Sequence, residues 1–397
     1  MTVLSGLLVV ELASVLAGPS VGQFLAELGA RVIKIENPRT GGDVTRSWTG
    51  DYFHCCNFGK ESLTLDLGRP LGKDALRQLV ERADIVLSSF APGADRRLGL
   101  GDDVLRAWNP AIIHAAISGY GPESERAGYD ALIQAESGFM DMNGQEDGPP
   151  TKMPVALVDI LAAHHVKEGI LLALLRQRSG NGQGAFIQVS LMDAALSSLA
   201  NQATGWFASG AVQGRHGSTH PNISPYGTLV ETSDNVTLML AIGNNRQFQR
   251  LCDLLDVPGL GADPRFASNA ARVEHRDALE RLLVDAFRTR SSPELLMDLQ
   301  EAGVPVGPVR TLKDALAEGG KNVILPNSSG TDGLKQWVGL SSADSAGPLC
   351  PPPALGQHSR QILHEFTTLS EGSIEDMIRS GARSRSRPGA THPHSSE

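Results

Sequence analysis

The sequence predicts an α/β fold: a Rossmann-like large domain built on a parallel sheet, with a small α+β domain. Three observations carry the prediction. Leu7–Leu12 (LLVVEL) and Arg31–Glu36 (RVIKIE) read as strands on either side of a helical stripe, Val21, Phe24, Leu25 and Leu28, so strand, helix and strand fit in about 30 residues. Neither strand alternates apolar with polar residues, which fits a parallel sheet covered on both faces. The same succession of strand and helix then recurs along the chain.

Ala17-Gly18-Pro19 turns the chain out of the first strand, and Pro19 suits a first helical turn. Gly29 closes that helix. Leu63–Leu67 reads as a short strand and Pro70–Ala83 as a helix with Ala75, Leu76, Leu79 and Val80 inward. Asp84–Ser88 and Ala111–Ile117 are further strands, and Asp130–Met140 a helix. Asp159 opens a long helical pattern through Leu161, Val166, Ile170, Leu171, Leu174 and Leu175. Arg176 and Arg178 suit its C-terminal end, where the helix dipole favours cations, and GNGQG (180–184) stops it. Phe186–Ser190 is a strand and Leu191–Phe207 a helix. Residues 209–225 are polar and turn-rich and mark a domain crossing. Strands at Gly227–Thr232 and Val236–Ile242 and helices at Asn245–Leu255, Glu274–Thr289 and Ser292–Ala302 make the α+β unit, which Pro305, Pro308 and Val309 lead out of. Residues 326–356 read as surface loop. Short helical patterns follow at 362–366 and 374–378. The residues divide the chain into 1–210, an α+β unit at 211–310 and an Arg- and Ser-rich disordered tail at 381–397.

Of 397 residues, 35 are Lys or Arg and 44 are Asp or Glu, a formal charge of −9 that argues against nucleic acid as the main partner. The four cysteines, Cys55, Cys56, Cys252 and Cys350, form no CxxC pair, so neither a thiol redox motif nor a zinc knuckle is expected. The histidines have no metal spacing, and no metal is assigned. The first six residues lack a basic secretory start, and no run of about 18 apolar residues exists. The expectation is a cytoplasmic enzyme that uses no membrane.

The first strand–turn–helix carries a single turn glycine, Gly18, instead of GxGxxG, so dinucleotide binding is not expected. Asp159 follows an apolar run at a helix start. From the residues alone it reads either as an N-cap or as a nucleophile or base at a strand-to-helix switch. Turns after strands at Ser118–Pro122 and Gly243–Asn245 are places where backbone N–H groups can meet an anion.

These segments resemble the class III CoA-transferases, the formyl-CoA transferase and carnitine CoA-transferase family. The resemblance is carried by VELASVLAGP (10–19), LGARVIKIE (28–36), GDVTR (42–46), NFGKESLTLDL (57–67), FAPG (90–93) with Arg97, SGYG (118–121) and AGYD (127–130). It continues in VSLMDA (189–194), GNNRQF (243–248), GVPVGPV (303–309) and PALGQH (353–358). The matches run in order over residues 4–312 and again over 351–381.

The resemblance implies an interlocked homodimer in which 311–380 returns to complete the large domain and Asp159 is the catalytic carboxylate. It would attack an acyl-CoA thioester, pass through an aspartyl anhydride and an aspartyl-CoA thioester, and hand CoA to an acceptor acid without a tightly bound cofactor. By position it places Leu16, Ala17, Ser89, Phe90, Arg97 and Arg39 at coenzyme A and Tyr120 near the active site. Gly243, Asn244 and Asn245 match a loop that covers the aspartate. AGYD and HGSTHPNISPY (216–226) look most like members that handle dicarboxylates, which implies succinyl-CoA as donor. Arg46, Arg215, His216 and His220 are candidates for the acid's second carboxylate. The alternatives are an acyl-CoA racemase of the same fold, pairing the aspartate with a histidine such as His54 or His164, and a non-catalytic CoA-binding protein. The chain departs from the family at Ala163, where many members have glycine, at Ser118, where some have lysine, and over 319–350.

Overall fold

The computed structural model describes residues 2–328, 330–339 and 348–385. They form two units. The first takes in the chain up to Ser137, Pro154–Ala200 and the chain from Asn322, and the second takes in Gly138–Met153 and Asn201–Lys321.

In the first unit the apolar runs become a six-stranded parallel sheet of β1 (Leu8–Leu12), β2 (Arg31–Glu36), β3 (Lys60–Thr64), β4 (Ile85–Ser88), β5 (Ile113–Ser118) and β6 (Ala185–Ser190). Its order is β3-β2-β1-β4-β5-β6, the doubly wound arrangement whose direction reverses between β1 and β4. Helices α1 (Ala17–Glu27), α2 (Pro70–Val80), α3 (Asp130–Glu136), α4 (Leu157–Arg176) and α5 (Leu191–Ser197) follow in chain order, and α6 (Ala200–Ser209) carries the chain on into the second unit. One face of the sheet packs Val10, Ile33, Ile35, Leu63 and Val86 against Leu76, Leu79 and Val80 of α2 and against Ile362, Leu363 and Ile374 near the C-terminus. Helices α1 and α4 pack together and against the strands. Each large aliphatic side chain buried this way contributes about 1.5–3 kcal/mol.

The second unit pairs β7 (Tyr226–Glu231) antiparallel with β8 (Thr237–Ala241), and β8 with β9 (Val306–Pro308). Helices α7 (Asn245–Leu254), α8 (Arg276–Phe287) and α9 (Ser292–Glu301) bury Phe248, Leu251, Leu279, Leu283, Phe287, Leu295 and Leu299 with Leu238 and Leu240. Two helices, α10 (Ser359–Phe366) and α11 (Glu371–Arg385), return to the first unit.

Several expectations shift. β3 starts at Lys60, three residues before the apolar stretch, because a lysine paired with the buried Glu11 extends the strand. The helix expected over Leu191–Phe207 is two helices, broken where Ala200 takes a φ of 47°. Asp130–Met140 is likewise divided at Gly138. Val306–Pro308, expected as an exit, is an edge strand, where proline's missing N–H faces away from the ladder. α11 continues through Arg385, into the expected tail, whose remainder at 386–397 lies outside the described residues, as do 340–347. The units change over at Ala200/Asn201 and Lys321/Asn322, and composition gave no sign of the excursion at Gly138–Met153.

Candidate active site

In open α/β sheets, ligands sit outside the carboxyl ends of the strands at the point where the order reverses. Here the loops after β1 and β4 are tied together, Ser14 N–H donating to Ser89 Oγ (3.1 Å) and Ser89 N–H to the Leu12 carbonyl (3.4 Å). Leu16 ends the first loop and Ala17 opens α1, while Ser89 and Phe90 lie on the second loop. Two clefts of about 310 and 350 Å3 adjoin Phe90. The first is lined by Ser14, Asn37, Asp43, Gly68 and Ser89, among others, and the second by Arg96, Ser118, Tyr120, Arg126 and Gln188. Each is in the size range of small-ligand sites.

The β1–α1 loop is held by charge from below. Lys34 Nζ lies 2.8 Å from Glu11, 2.9 Å from Asp43 and 2.7 Å from the Ala13 carbonyl. Lys60 Nζ reaches Glu11, the Pro19 carbonyl and Asn57 Oδ1, each at 2.8 Å. All four charged side chains are buried. α1 can lie over them only because Gly22 lacks a side chain, since a Cβ there would meet Glu11 Oε2 at 1.8 Å. Burial opposes the charge of both lysines. Glu11, Asp43 and Glu36 together outweigh it at Lys34 and hold its pKa high, whereas Lys60, where the charge of Lys34 adds to burial against Glu11, is lowered. Above this cluster Val15 takes a φ of 72°, a left-handed conformation strained for a β-branched residue. Its N–H donates to Asp43 Oδ1 (3.4 Å), and its carbonyl receives Cys56 Sγ (3.6 Å).

Asp159 is the third residue of α4 and half-buried. It is not the cap of its helix. Ala156 holds the N-cap position without a side-chain bond, and the cap comes from Asp130, whose Oδ1 accepts the N–H groups of Val158 (2.8 Å) and Asp159 (3.4 Å). Asp130 Oδ2 accepts from Gln134 Nε2 (2.6 Å). Among the described residues no donor reaches the Asp159 carboxylate. Burial, and secondarily the Asp130 charge, push its pKa up to about 7. Its negative field also reaches Tyr52, whose hydroxyl burial already pushes up.

The remaining candidates divide. Arg46 has its Nε and Nη2 on Glu36 (2.7 and 2.8 Å), its Nη1 on the Pro353 carbonyl (3.0 Å) and its guanidinium over Phe53. The acid-binding role expected of it is therefore not supported by this geometry. Arg39 is exposed, 3.8 Å from Asp66. Arg97 is exposed too, and its neighbour Arg96 lines the larger cleft instead. The Tyr120 hydroxyl accepts from Arg126 (3.2 Å), whose guanidinium stacks on its ring. In the second unit, Asn244 caps α7 by accepting from Gln247 N–H, Gly243 N–H donates to Gln247 Oε1, and Asn245 Oδ1 accepts from Arg272. Arg215 Nη1 donates to the Asp141 carbonyl (3.1 Å), while its buried Nε has no partner among the described residues. His216 is exposed, and His220 Nδ1 accepts from Asn222 N–H.

Three comparisons bear on this chain. A model of CoA-transferase family III matches residues 4–359. The chain belongs to that family. The succinate–glutarate CoA-transferase of Agrobacterium fabrum is 38% identical over 393 residues, covering 92% of this chain and 96% of that protein. The human succinyl-CoA:glutarate CoA-transferase is 32% identical, covering 95% and 89%. A solved CAIB/BAIF family protein from Brucella suis superposes with a TM-score of 0.82 at 39% identity, covering 92% of this chain and 99% of that one. The chain is thus a CoA-transferase. Among its described residues no group of three or more His, Cys, Asp or Glu could hold a metal ion, and no helix is long and apolar enough to cross a membrane.

Sequence reasoning missed two parts of the candidate site. Asp130 sat inside a quoted motif with no role, because a cap supplied from 29 residues away has no local signature. In the larger cleft His114 bridges Ser88 Oγ (2.9 Å) and Asp102 Oδ1 (3.1 Å) and stacks on Phe186. Burial keeps its imidazole below the ordinary histidine pKa against the pull of Asp102. Nδ1–H toward the carboxylate leaves Nε2 to accept the Ser88 hydroxyl proton.

Proposed function

We propose that the enzyme moves coenzyme A from succinyl-CoA to a small dicarboxylic acid, with glutarate the first candidate, through covalent chemistry at Asp159. One observation carries the reading: the Asp159 carboxylate is desolvated at the start of α4, with no donor on its oxygens and a pKa near neutrality. A carboxylate so placed is a better nucleophile than a hydrated one. The carboxylate oxygen attacks the thioester carbonyl, the C–S bond breaks, and an aspartyl anhydride and CoA thiolate result. Attack of the thiolate on the aspartyl carbonyl releases the first acid and leaves an aspartyl-CoA thioester. The acceptor carboxylate then repeats the exchange, and Asp159 is freed. Each step trades one activated acyl bond for another, so no ATP is needed. The names of the relatives from Agrobacterium fabrum and human support the choice of acids. Leu16, Ala17, Ser89 and Phe90, at the sheet's switch point, are the proposed contacts to the CoA nucleotide.

The proposed assembly is an interlocked homodimer. It is favoured by apolar surface that a lone chain leaves in water, Leu172 and Leu175 on α4 (66% and 61% exposed) and, in the second unit, Phe207 (73%). Light scattering giving the mass of one chain at micromolar concentration would exclude it.

The chemistry is tested by incubating the protein with succinyl-CoA and hydroxylamine and mapping peptides by mass. A hydroxamate at Asp159 is expected, together with exchange of labelled glutarate into the CoA pool. A protein that exchanges the α-hydrogen of a branched acyl-CoA with solvent but transfers no CoA would establish the racemase reading instead.

A further inference from the structure

One pair of nucleophilic side chains has no part in this chemistry. Cys55 and Cys56 close the short helical turn Tyr52–Cys56, with Cys55 half-buried, Cys56 fully buried and their Sγ atoms 3.6 Å apart. Cys56 Sγ lies equally close, 3.6 Å, to the carbonyl oxygen of Val15, the strained residue of the β1–α1 loop. The two thiols differ. The bond to Cys56 and the charge of Lys60 hold Cys55 below the ordinary thiol range against burial, whereas the same bond and burial push Cys56 well above it. One sulfur is suited to attack as thiolate, and the other keeps its proton until it resolves the product.

We propose that Cys55–Cys56 is a dithiol modification site that takes hydroperoxides and trivalent arsenicals, and that closing it releases the β1–α1 loop. The Cys55 thiolate attacks the terminal peroxide oxygen and the O–O bond breaks. The alcohol leaves with a proton, and Cys55 becomes a sulfenic acid. The Cys56 sulfur attacks that sulfur, the S–O bond breaks, and the hydroxyl departs as water with the Cys56 proton. Two thiols are oxidised by two electrons and one hydroperoxide is reduced. A monosubstituted arsenoxide bridges the same two sulfurs with loss of one water.

The geometry makes the closed form reversible. Consecutive Cα atoms are about 3.8 Å apart across a trans peptide. Ordinary disulfides span roughly 4.4–6.8 Å, and departures from that geometry make the bond easier to reduce. Closing the 3.6 Å gap to a bond of about 2.05 Å removes the Cys56 S–H proton, and with it the hydrogen bond to the Val15 carbonyl. The loop then loses one of the contacts that hold Val15 left-handed.

The experiment treats the full-length protein with tert-butyl hydroperoxide, reads intact mass and a peptide map, and measures binding of S-methyl-CoA, a thioether that neither reduces disulfides nor transfers acyl groups. The expected result is loss of two hydrogens, a map linking Cys55 to Cys56, and a Kd for S-methyl-CoA raised about tenfold. Dithiothreitol should reverse all three. Phenylarsine oxide should add one arsenical per chain. Cys55→Ser and Cys55→Ala, at the half-exposed position, should block both modifications and still bind S-methyl-CoA. The wild-type map needs no variant to fold. Cys55 and Cys56 both alkylated after peroxide, or a disulfide through Cys350 instead, overturns the site. A linked protein that binds S-methyl-CoA unchanged overturns the release of the loop. The binding arm rests on the proposed CoA contacts at Leu16 and Ala17. Reduced protein that binds no S-methyl-CoA overturns that reading while the mass arm still decides the dithiol.

Discussion

Asp43 and Asp159 belong to the same unit, and burial works against the charge of both, yet they end on opposite sides of the ordinary carboxylate pKa. At Asp43 the penalty of burial is outweighed by Lys34, 2.9 Å away, and by the N–H and hydroxyl of Thr45, and the pKa falls. Glu36, at the end of β2 and bonded to the Asp43 N–H (3.0 Å), follows the same pattern through Arg46, Lys34 and Ser62. At Asp159 no cation or donor answers burial, Asp130 adds a like charge, and the pKa rises to about 7. The difference lies in the partners. Carboxylates given cations hold up the β1–α1 loop, while the one left without keeps its proton up to near neutral pH.

The contrast can be broken at either end. Asp159→Ala should cut CoA transfer on the order of 10⁴-fold, about 5.5 kcal/mol of transition-state stabilisation, measured as kcat/KM with the fold confirmed by circular dichroism. Lys34→Met leaves Asp43 in the interior without a cation and Glu11 with Lys60 alone, and should cost about 3–5 kcal/mol in denaturant unfolding, with transfer lost as the loop slackens. Asp159→Asn should do the opposite to stability. Because its carboxyl is raised in the folded state, the native protein binds more protons than the unfolded chain between pH 3.8 and about 7, and stability drains away as pH rises through that window. Above pH 7 the Asn variant, which has nothing to ionise, should therefore be more stable by roughly 1–2 kcal/mol, discounted for a group that is only half-buried. Asp130→Asn sharpens the comparison most finely. It keeps an acceptor for the Val158 N–H but removes the like charge, so the rising limb of the pH–rate profile, expected near 7, should move down by about half a unit to one unit. An unmoved limb would leave burial as the whole cause.

Much of the scaffold could be read from local pattern. β2 spans the expected Arg31–Glu36 because six residues of unbroken strand chemistry are bounded by Gly29 and Pro38. α4 was visible from its stripe, although Leu175, counted with that stripe, points outward at 61% exposure. What stayed hidden depends on partners distant in sequence. Lys60 looks like a solvated residue until Glu11 is beside it. Arg46 looked available for an acid because Glu36 and Pro353, its actual partners, lie 10 and 307 residues away. The PALGQH segment matched the family without any reason visible in the chain. In the structure Gly356 N–H donates to Ser62 Oγ, and His358 Nδ1 accepts the Ser62 N–H, fastening the returning chain to the edge of β3. Asp159 itself was readable only as one of two things, and the N-cap reading gave way when Asp130 was found in that role.

Gly119, just past β5, and Gly128, just before α3, meet backbone to backbone, so that a Cβ on the first would lie 2.4 Å from the Cα of the second. The spacing between the sheet and Asp130, and through Asp130 the start of α4, is thus fixed where two bare main chains touch. A designer wishing to reshape this enzyme for a bulkier acid would look first to the polar side chains around the proposed nucleophile. The hardest limit is elsewhere. Neither glycine can be swapped without unseating the ledge on which the Asp159 carboxylate rests, and a saturation library would find its least forgiving positions at two residues that offer a ligand nothing to hold.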